Sequence, residues 1–454
     1  MLMKFNKSSQ LLLVSAASLV VAAFVTACGT LTVDFVFVTS SKAAGANNYG
    51  EVDVFEIDSE SGHMRQIPTS PFPSGGRNPV AEAVSPDNTN LYVVNQDDNT
   101  IVQFVIGNDG KLYPQNTVNT PGIYPLAVAA NGSNLFVVDT YQPLPTCSNA
   151  DPCSGSIAVY PILTATQAQA LTPPQPADTL GPPVANTSTG ANYWPLTLPS
   201  SPNDVILPTG VNVLKSGADV FVSAYDSTAN TGYVFGFMVG SGGALTALSG
   251  SPYAAGTHPS AIASDSTSSY VYVTDFANGN IMGYTVASGG LTPLPSVQYN
   301  PNPYPAGNQP SAIVADSSPY LYVTNAQDGT VTAYAISDGT LSCNQAYHWT
   351  AYASSSSPPS LPPFTVIPAG AICSIDSLSN ATGPSTFATG LDPVAIGIDP
   401  SMNHFLFTAN YLGSNVSGFE LATGGTLINS QNSPYTSNAQ PTAVAAIPHN
   451  GSQN

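Results

Sequence analysis

Positive charge is scarce in this sequence. Only 7 of its 454 residues are lysine or arginine, against 26 aspartates and glutamates, and the formal net charge is −19. An acidic surface repels nucleic acid and anionic lipid headgroups, so we expect no nucleic-acid partner. Phosphorylated substrates are also disfavoured, because lysine and arginine are the side chains that normally hold phosphate groups.

Charged residues of either sign make up only 7% of the chain, which is too few for a protein built mainly of helices. Apolar residues reach 43% and include 22 tyrosines and 17 phenylalanines, so a large core can be buried. Glycine, proline, serine, threonine and asparagine supply most of the remainder. This composition predicts many short strands joined by turns, that is, an all-β protein.

Several motifs that carry chemistry are missing from the sequence. It has no Gly-x-Ser-x-Gly elbow, no His-Glu-x-x-His, no phosphate loop and no dinucleotide fingerprint. The acidic run at residues 97–99 lacks the ligand spacing of a calcium loop. We therefore predict neither a cofactor nor a metal site, which disfavours a quinoprotein-like dehydrogenase and a metal-dependent lactonase.

The first 28 residues have the pattern of a bacterial lipoprotein export signal. Lys4 and Lys7 precede an apolar run at residues 11–24 that is short for a membrane anchor, and Val25-Thr26-Ala27-Cys28 resembles a lipobox. We predict a signal peptide at residues 1–27, lipidation of Cys28 and a short linker at residues 28–32; an ordinary cleaved signal is the alternative. The protein would then be anchored in the bacterial cell envelope. Because no aspartate follows the cysteine, we favour the outer membrane over the inner.

Four cysteines remain after Cys28, an even number that suits an oxidising compartment. Proximity along the chain predicts the disulfides Cys147–Cys153 and Cys343–Cys373. Zinc ligation is the competing interpretation, but these spacings match none of the usual zinc patterns.

The dominant feature of the sequence is an internal repeat. An opening phrase consists of a polar or aromatic residue, a proline and a small apolar strand, and its copies begin at Asn78, Tyr124, His258, Gln309, Asp392 and Gln440. An apolar second-strand phrase that usually ends in Asn or Asp recurs near residues 36, 91, 135, 220, 271, 321 and 406. In most units a glycine-containing turn follows the third strand and predicts a hairpin to a fourth strand. Each unit is therefore predicted to be a four-stranded antiparallel sheet whose two faces are both apolar.

The number of units and the two chain ends predict a closed ring. Seven second strands imply a seven-bladed β-propeller at residues 33–448, with a tail at residues 449–454. The first unit lacks an opening phrase, and the chain ends with an opening phrase that has nothing after it. The C-terminal strand should therefore pair with the first blade and remove the open sheet edge. We expect a monomer.

Two long inserts interrupt the repeat, at about residues 161–201 and 342–387. The first is rich in Pro, Thr and Ala without any period, so we expect an exposed excursion. The second carries the Cys343–Cys373 pair, which predicts order in part of it.

The repeat resembles a known family. Tyr272-Val273-Thr274-Asp275 and Tyr322-Val323-Thr324-Asn325 look like YVTN-type repeats, and Pro86-Asp87 followed by residues 91–95 is similar to the lactonase-like seven-bladed propellers. That superfamily includes 6-phosphogluconolactonases. The resemblance implies a lactone hydrolase, a carboxylic ester hydrolase, with a charged cluster at one mouth of the central channel.

Few residues of this chain could supply such a cluster. Innermost strands line the channel, and they offer Glu82 as the one acidic residue in mid-strand, His258 as an opening residue, and Arg77 just before the second blade. We predict these three as catalytic candidates, with Glu82 as general base, although each has an ordinary structural alternative. Asp265, Asp316 and Asp399 are interpreted as turn residues, and the Asn or Asp that closes the second strands as a structural hydrogen-bonding position.

Two functions follow from these observations. The first is an envelope-anchored binding or scaffold propeller that presents its loops to a protein or glycan, favoured by the missing charged cluster. The second is a lactone hydrolase that uses Glu82, His258 or both. Export makes 6-phosphogluconolactone an awkward substrate, because that metabolite is cytoplasmic.

Overall fold

Seven antiparallel sheets arranged around a central channel form the described part of the protein. The structure is a computed structural model, and it describes residues 32–41, 49–58, 61–145, 147, 152–287, 289–345, 363–381, 383–399, 405–437 and 439–448. The predicted signal peptide, the lipidation site at Cys28 and the tail at residues 449–454 lie outside these residues.

The first three blades contain the following strands: β1 (Thr32–Ser41), β2 (Tyr49–Asp58), β3 (Met64–Gln66) and β4 (Phe72–Arg77); β5 (Pro79–Val84), β6 (Asn90–Asn95), β7 (Thr100–Ile106) and β8 (Leu112–Asn119); β9 (Ile123–Ala130), β10 (Asn134–Tyr141), β11 (Ser156–Pro161) and β12 (Trp194–Pro195). The insert between β11 and β12 contains the short helix α1 (Ala165–Gln169), which begins with a Thr164 capping box.

Blades four and five contain β13 (Ile206–Val213), β14 (Asp219–Asp226), β15 (Thr231–Val239), β16 (Leu245–Ala247) and β17 (Tyr253–Ala254); β18 (Pro259–Ser264), β19 (Tyr270–Asp275), β20 (Asn280–Ala287), β21 (Gly290–Pro293) and β22 (Tyr304–Pro305). In both blades the outermost strand is split into two short pieces that pair with the same third strand.

The rest of the chain contains β23 (Pro310–Ala315), β24 (Tyr320–Asn325), β25 (Thr330–Ile336), β26 (Ser342–Cys343), β27 (Thr365–Val366), β28 (Ile372–Ser374) and β29 (Thr386–Ala388); β30 (Pro393–Ile398), β31 (Phe405–Asn410), β32 (Asn415–Leu421), β33 (Leu427–Asn429) and β34 (Tyr435–Thr436); and β35 (Gln440–Pro448). Single 3₁₀ turns occur at Ser241–Gly243, Ile375–Ser377 and Thr423–Gly425. None of the helices within the described residues is long and apolar enough to cross a membrane.

The C-terminal strand closes the ring. β35 pairs antiparallel with β1, with Val38 opposite Val444, and becomes the innermost strand of the first blade. Each innermost strand also contacts the innermost strands of both neighbouring blades, so the seven form a continuous wall around the channel. The predicted seven-bladed architecture and its closure are both confirmed.

The core lies between the blades rather than inside one central layer. Second strands are buried on both faces, so that Tyr272 and Tyr322 are 0% exposed although each lies in the middle of a sheet. Alternate side chains of such a strand face the two neighbouring blades, and β-branched and aromatic residues fill both gaps. This packing on both faces explains why the second-strand phrase is apolar in every repeat.

The fourth blade contains an opening phrase that sequence analysis missed. Leu207 and Pro208 lie at the start of β13, where Pro208 pairs with Ala224 just as Pro259 pairs with Asp275 in the next blade. The small residue that follows is Gly210 instead of alanine, and the second-strand residue opposite the proline is Ala224, where five other blades have Asn or Asp. The two usual markers of the repeat are thus replaced together.

The first insert is not an exposed excursion, contrary to the prediction. Its later part packs against blades two and three: Gln103 Nε2 donates to the Asp178 carbonyl oxygen at 2.8 Å, and the Leu180 N–H donates to Gln103 Oε1 at 3.1 Å. Leu180 and Leu196 are buried in the adjoining apolar clusters. The proline-rich composition predicted exposure, but a few leucines that pack into the neighbouring clusters are enough to fix the segment against the blades.

Both predicted disulfides are present. Cys147 pairs with Cys153 and Cys343 with Cys373, with Cα–Cα distances of 5.5 and 6.3 Å. The second bridge is fully buried in the cluster between blades five and six, so the ordered ends of the second insert belong to the core.

Candidate functional site

One mouth of the channel collects the opening residues of all seven blades. Each opening residue precedes the proline at the start of an innermost strand, so all of them lie at the same end of the ring: Asn78, Tyr124, Leu207, His258, Gln309, Asp392 and Gln440. Their carbonyls accept a backbone hydrogen bond from the end of the second strand, as in Gln96 N–H to Asn78 at 2.9 Å and Phe276 N–H to His258 at 2.9 Å. This repeated bond holds the rim of the mouth.

The Asn or Asp that ends a second strand supports this rim from behind. Asp275 accepts from the backbone N–H groups of Thr257 and His258 at 2.9 and 3.2 Å, and Asn325 accepts from the Gly307 N–H at 3.0 Å. The predicted structural role of this repeat position is confirmed at both residues.

In five of the seven blades a glycine stands two residues before the opening residue, whereas blades four and one have Val205 and Asn438 there. A Cβ added at Gly122 would lie 2.3 Å from the Cβ of Asp139, and one added at Gly76 would lie 2.6 Å from Asn95 Cγ. Because the supporting side chain touches the backbone here, only glycine fits. The rim is therefore a rigid part of the fold that can carry different opening residues.

His258 lies on this rim and packs against aromatic rings. Its ring centroid is 4.1 Å from that of Tyr225 in blade four and 5.9 Å from that of Phe276 in its own blade. Tyr124 and Tyr141 of blade three form an edge-to-face pair with ring centroids 6.1 Å apart. Burial raises the pKa of Tyr225, and the nearby Tyr141 hydroxyl raises it further. We call these five residues the aromatic arc, and they extend over blades three to five.

Sequence analysis found only one member of the aromatic arc. Phe276 follows the final residue of β19, Tyr225 occupies the equivalent repeat position near the end of β14, and Tyr124 is itself an opening residue. Their positions in the repeat were visible in the sequence. The signal for Tyr225 and Phe276 is that aromatic residues occupy the same repeat position in neighbouring blades.

Arg77 lies on the outer side of the same rim and is already paired. Its Nε donates to Asp98 Oδ1 at 2.7 Å, its backbone N–H donates to Asp98 Oδ2 at 2.7 Å, and its Nη2 reaches the Asp97 carbonyl oxygen at 3.2 Å. The ion pair with Asp98 raises the pKa of Arg77 and lowers that of Asp98. An arginine engaged in this way is not available as an anion receptor without breaking the pair.

Glu82 occupies an unusual place in the wall of the channel. Glu82 lies in β5 and pairs with Val93 of β6. At the equivalent position the other six innermost strands have β-branched apolar residues: Val128, Val211, Ile262, Ile313, Ile396 and Val444. Those residues pack onto the preceding blade. Glu82 instead accepts a hydrogen bond from the Thr39 hydroxyl of blade one through Oε2, while its Oε1 is shielded from solvent.

This position perturbs the acidity of Glu82. Burial raises the pKa of its carboxyl from 4.5 to about 7, and the hydrogen bond from Thr39 offsets part of the rise. A carboxyl with a pKa near neutrality can act as a general base or acid, provided that water or substrate reaches it.

The structure does not bring the three catalytic candidates together. Among the described residues, no hydrogen bond, ion pair or ring contact joins any two of Glu82, His258 and Arg77. Glu82 lies within the wall at blade two, whereas His258 lies on the rim at blade five. The described contacts define two features, an aromatic rim and a half-buried acid in the channel wall.

Two of the three predicted turn aspartates accept turn hydrogen bonds as predicted, whereas the described side-chain partner of Asp399 is Asp34 of blade one. Asp265 accepts from the backbone N–H groups of Thr267, Ser269 and Tyr270, and Asp316 accepts from that of Ser318. Both lie at the far ends of innermost strands. No group of three or more His, Cys, Asp or Glu side chains within the described ranges is arranged to hold a metal ion.

Comparison with known proteins places these features in a wider context. Residues 40–181 match a family model described as lactonase, 7-bladed beta-propeller. A periplasmic gluconolactonase from Pseudomonas aeruginosa has a similar structure, with a TM-score of 0.62 and 16% identity over 91% of this chain and 99% of that chain. The resemblance to lactonase-like seven-bladed propellers is thereby confirmed.

Two Bacteroides proteins show the same likeness. Candidate 6-phosphogluconolactonases from Bacteroides fragilis and Bacteroides uniformis have TM-scores of 0.59 and 0.60 at 16% and 15% identity, each over 92% of this chain and 98% and 100% of theirs. At such identity the likeness shows the fold alone. No curated protein matches the sequence.

Proposed function

We propose that this chain is an exported, lipid-anchored binding propeller of the bacterial cell envelope, whose ligand docks on the channel mouth that carries the aromatic arc. One observation carries the proposal: the opening residues of this mouth are aromatic, amide or apolar apart from Asp392, while Arg77 is held by Asp98 and, within the described residues, no hydrogen bond or ion pair joins His258 to Glu82 or Arg77. Ligand sites on propellers and other rigid scaffolds are built from such convergent loop residues.

The anchoring part of the proposal depends on the N-terminal sequence. Lipidation at Cys28 would hold the protein at a membrane, and the two disulfides suit an oxidising compartment. Metabolic labelling with a palmitate analogue tests this step in a bacterial host. We expect incorporation into the full chain and none into Cys28→Ser; equal labelling of both would contradict the proposal.

Lactone hydrolysis is a second candidate because of Glu82. A glutamate replaces Val or Ile at a wall position, and its pKa of about 7 suits a general base. Its carboxylate would take a proton from water as the water oxygen attacks the lactone carbonyl. The ring C–O bond would then break, and the departing alkoxide would gain a proton. The shielding of Oε1 from solvent is the reason for ranking this function second.

Turnover of sugar lactones separates the two functions. A form lacking residues 1–28 would be assayed on phosphorylated and unphosphorylated lactones, beside Glu82→Gln, His258→Ala and the control Glu420→Gln at an exposed position on β32. The binding proposal predicts no turnover above buffer by the folded protein. Turnover that rises with pH through about 7 and is lost in Glu82→Gln but not in Glu420→Gln would establish the hydrolase instead.

A further inference from the structure

The aromatic arc consists of two groups of contacting rings: Tyr124 with Tyr141 in blade three, and Tyr225, His258 and Phe276 across the boundary between blades four and five. Tyr124, Tyr225, His258 and Phe276 are each half-buried, whereas Tyr141 is buried and packs against Tyr124. The contact between Tyr225 and His258 joins blade four to blade five. Aromatic rings fixed in this way offer a large contact area with little loss of side-chain entropy on binding.

The other side of the same mouth carries amides. Asn78, Gln309 and Gln440 are opening residues of blades two, six and one, and Gln96 follows the second strand of blade two; all four are half-buried. Asn78 Nδ2 donates to Gln96 Oε1 at 3.1 Å, which orients that pair at the rim. We call these four residues the amide arc. Side-chain amides both donate and accept, and therefore suit a ligand rich in hydroxyl groups.

The charges at the mouth exclude one class of ligand. Arg77 is the only Lys or Arg that the described residues place at this rim, and it pairs with Asp98. Asp97 and Asp392 add negative charge nearby. Among the described residues of this rim, a phosphate or carboxylate ligand would meet acidic groups without an unpaired cation, so an uncharged ligand is favoured over an anionic one.

A cavity lies where the two arcs meet between blades two and three. It measures about 440 Å³ and is lined by Tyr124 from the aromatic arc, Gln96 from the amide arc, and Arg77, Asp97 and Thr140. This volume is in the range of small-ligand sites. The Thr140 hydroxyl donates to the Tyr124 carbonyl oxygen at 2.6 Å, which fixes the wall of the cavity to the rim.

We propose that this mouth binds an uncharged saccharide chain, which lays the C–H faces of its sugar rings on the aromatic arc and hydrogen-bonds its hydroxyls to the amide arc. This inference rests on the proposed binding function and specifies its ligand. A sugar ring combines an apolar face with hydroxyls at its edge, and the mouth offers aromatic rings and amides in the matching arrangement.

Calorimetric titration of the full chain in mild detergent tests the inference. The probes are cellohexaose, maltohexaose, laminarihexaose and chitohexaose, with tetramethylammonium chloride and gluconate 6-phosphate as charged comparisons. We expect saturable binding of at least one neutral hexasaccharide. Tyr225→Ala should weaken it by about tenfold or more, whereas Tyr225→Phe should retain it because the ring remains.

A matched control removes a tyrosine elsewhere. Tyr113 is 52% exposed on β8, the outermost strand of blade two, so Tyr113→Ala should bind like the unchanged protein. Circular dichroism and thermal unfolding would establish that all variants fold. Absence of binding to every neutral hexasaccharide, or an equal loss in Tyr113→Ala, would overturn the inference, as would tighter binding of either charged probe.

The two proposals can fail separately. If an envelope protein rather than a saccharide binds the mouth and Tyr225→Ala abolishes that binding, the saccharide inference fails while the binding function stands. If Glu82-dependent lactone turnover appears without any binding to the hexasaccharides, both fail.

Discussion

The boundary between blades one and two differs from the boundary between blades five and six at one repeat position. At the second boundary Ile313 packs with Tyr272 and Val323 in a wholly apolar cluster. At the first, Glu82 stands in that position and is held by Thr39. The fold does not need an acid here, since six blades use Val or Ile. A residue that departs from the structural rule of the repeat marks either a function or a local loss of stability.

The boundary between blades seven and one carries a second departure. Asp34 in β1 shares a hydrogen bond with Asp399 of blade seven, and both residues are only 2% exposed. Burial, and then the nearby Asp399 charge, raise the pKa of Asp34 to about 8. The first blade thus has an acid of raised pKa at both of its boundaries, whereas the boundary between blades five and six is packed by an apolar cluster.

The largest effect should come from removing the closing strand. Truncation after Ala439 deletes β35 and exposes the edge of β1 together with the innermost face of the first blade. We expect loss of cooperative unfolding, measured by near-ultraviolet circular dichroism in urea. Truncation after Pro448 is the matched control and should unfold like the full chain. A cooperative transition in the shorter variant would show that the ring does not depend on this closure.

Substitutions at the two equivalent wall positions, Ile313 and Glu82, should change the free energy of unfolding in opposite directions. Ile313→Glu places an unpaired carboxyl in an apolar cluster and should lower the free energy of unfolding by about 4 kcal/mol at pH 8. Glu82→Val restores the residue type of the sister blades and should raise it by about 2 kcal/mol. Urea unfolding of both variants measures the two values. Destabilisation by Glu82→Val would mean that the hydrogen bond with Thr39 outweighs the burial of the acid.

The buried acids also predict how stability depends on pH. Between pH 4.5 and about 7 the folded state keeps the Glu82 proton while the unfolded chain has lost it, so stability falls as pH rises through this range. Glu82 alone should account for about 3 kcal/mol of that fall. Asp34 acts in the same direction up to about pH 8.

Thermal unfolding at several pH values measures this dependence. Glu82→Gln should flatten the fall, whereas Glu420→Gln, at an exposed position on β32, should leave it unchanged. A protein that is more stable at pH 8 than at pH 5 would contradict the assignment of these carboxyls as buried acids with raised pKa values.

The smallest predicted effect concerns a repeated hydroxyl hydrogen bond between blades. Ser311 Oγ donates to the Pro393 carbonyl oxygen of the next blade at 2.5 Å, and Thr442 Oγ1 donates to that of Pro79 at 2.9 Å. Ser311→Ala should lower the free energy of unfolding by about 1 kcal/mol. Ser241→Ala, at an exposed turn, is the control. No change in Ser311→Ala would indicate that the apolar cluster alone holds this boundary.

The sequence predicted which residues of the site are unusual for their repeat positions, but it did not predict which side chains they contact. Glu82 and His258 were recognisable because each departs from the usual residue at its repeat position. The contact of His258 with Tyr225 was not, because the two residues belong to different blades and no local pattern states how neighbouring sheets face each other. The packed first insert was missed for a similar reason, since Leu180 has its partners in blades two and three.

By itself, the sequence determined the seven-fold repeat, the closure by the last strand and the pairing of the four cysteines. These features follow from short-range periodicity and from spacing along the chain, which sheets and short loops translate directly into structure. Only the tertiary structure decided that Arg77 pairs with Asp98, that Glu82 reaches Thr39, and that Asp34 meets Asp399 across the closed ring. Such contacts depend on the angle and distance between packed blades, which arise from the summed packing of many side chains and not from any one segment.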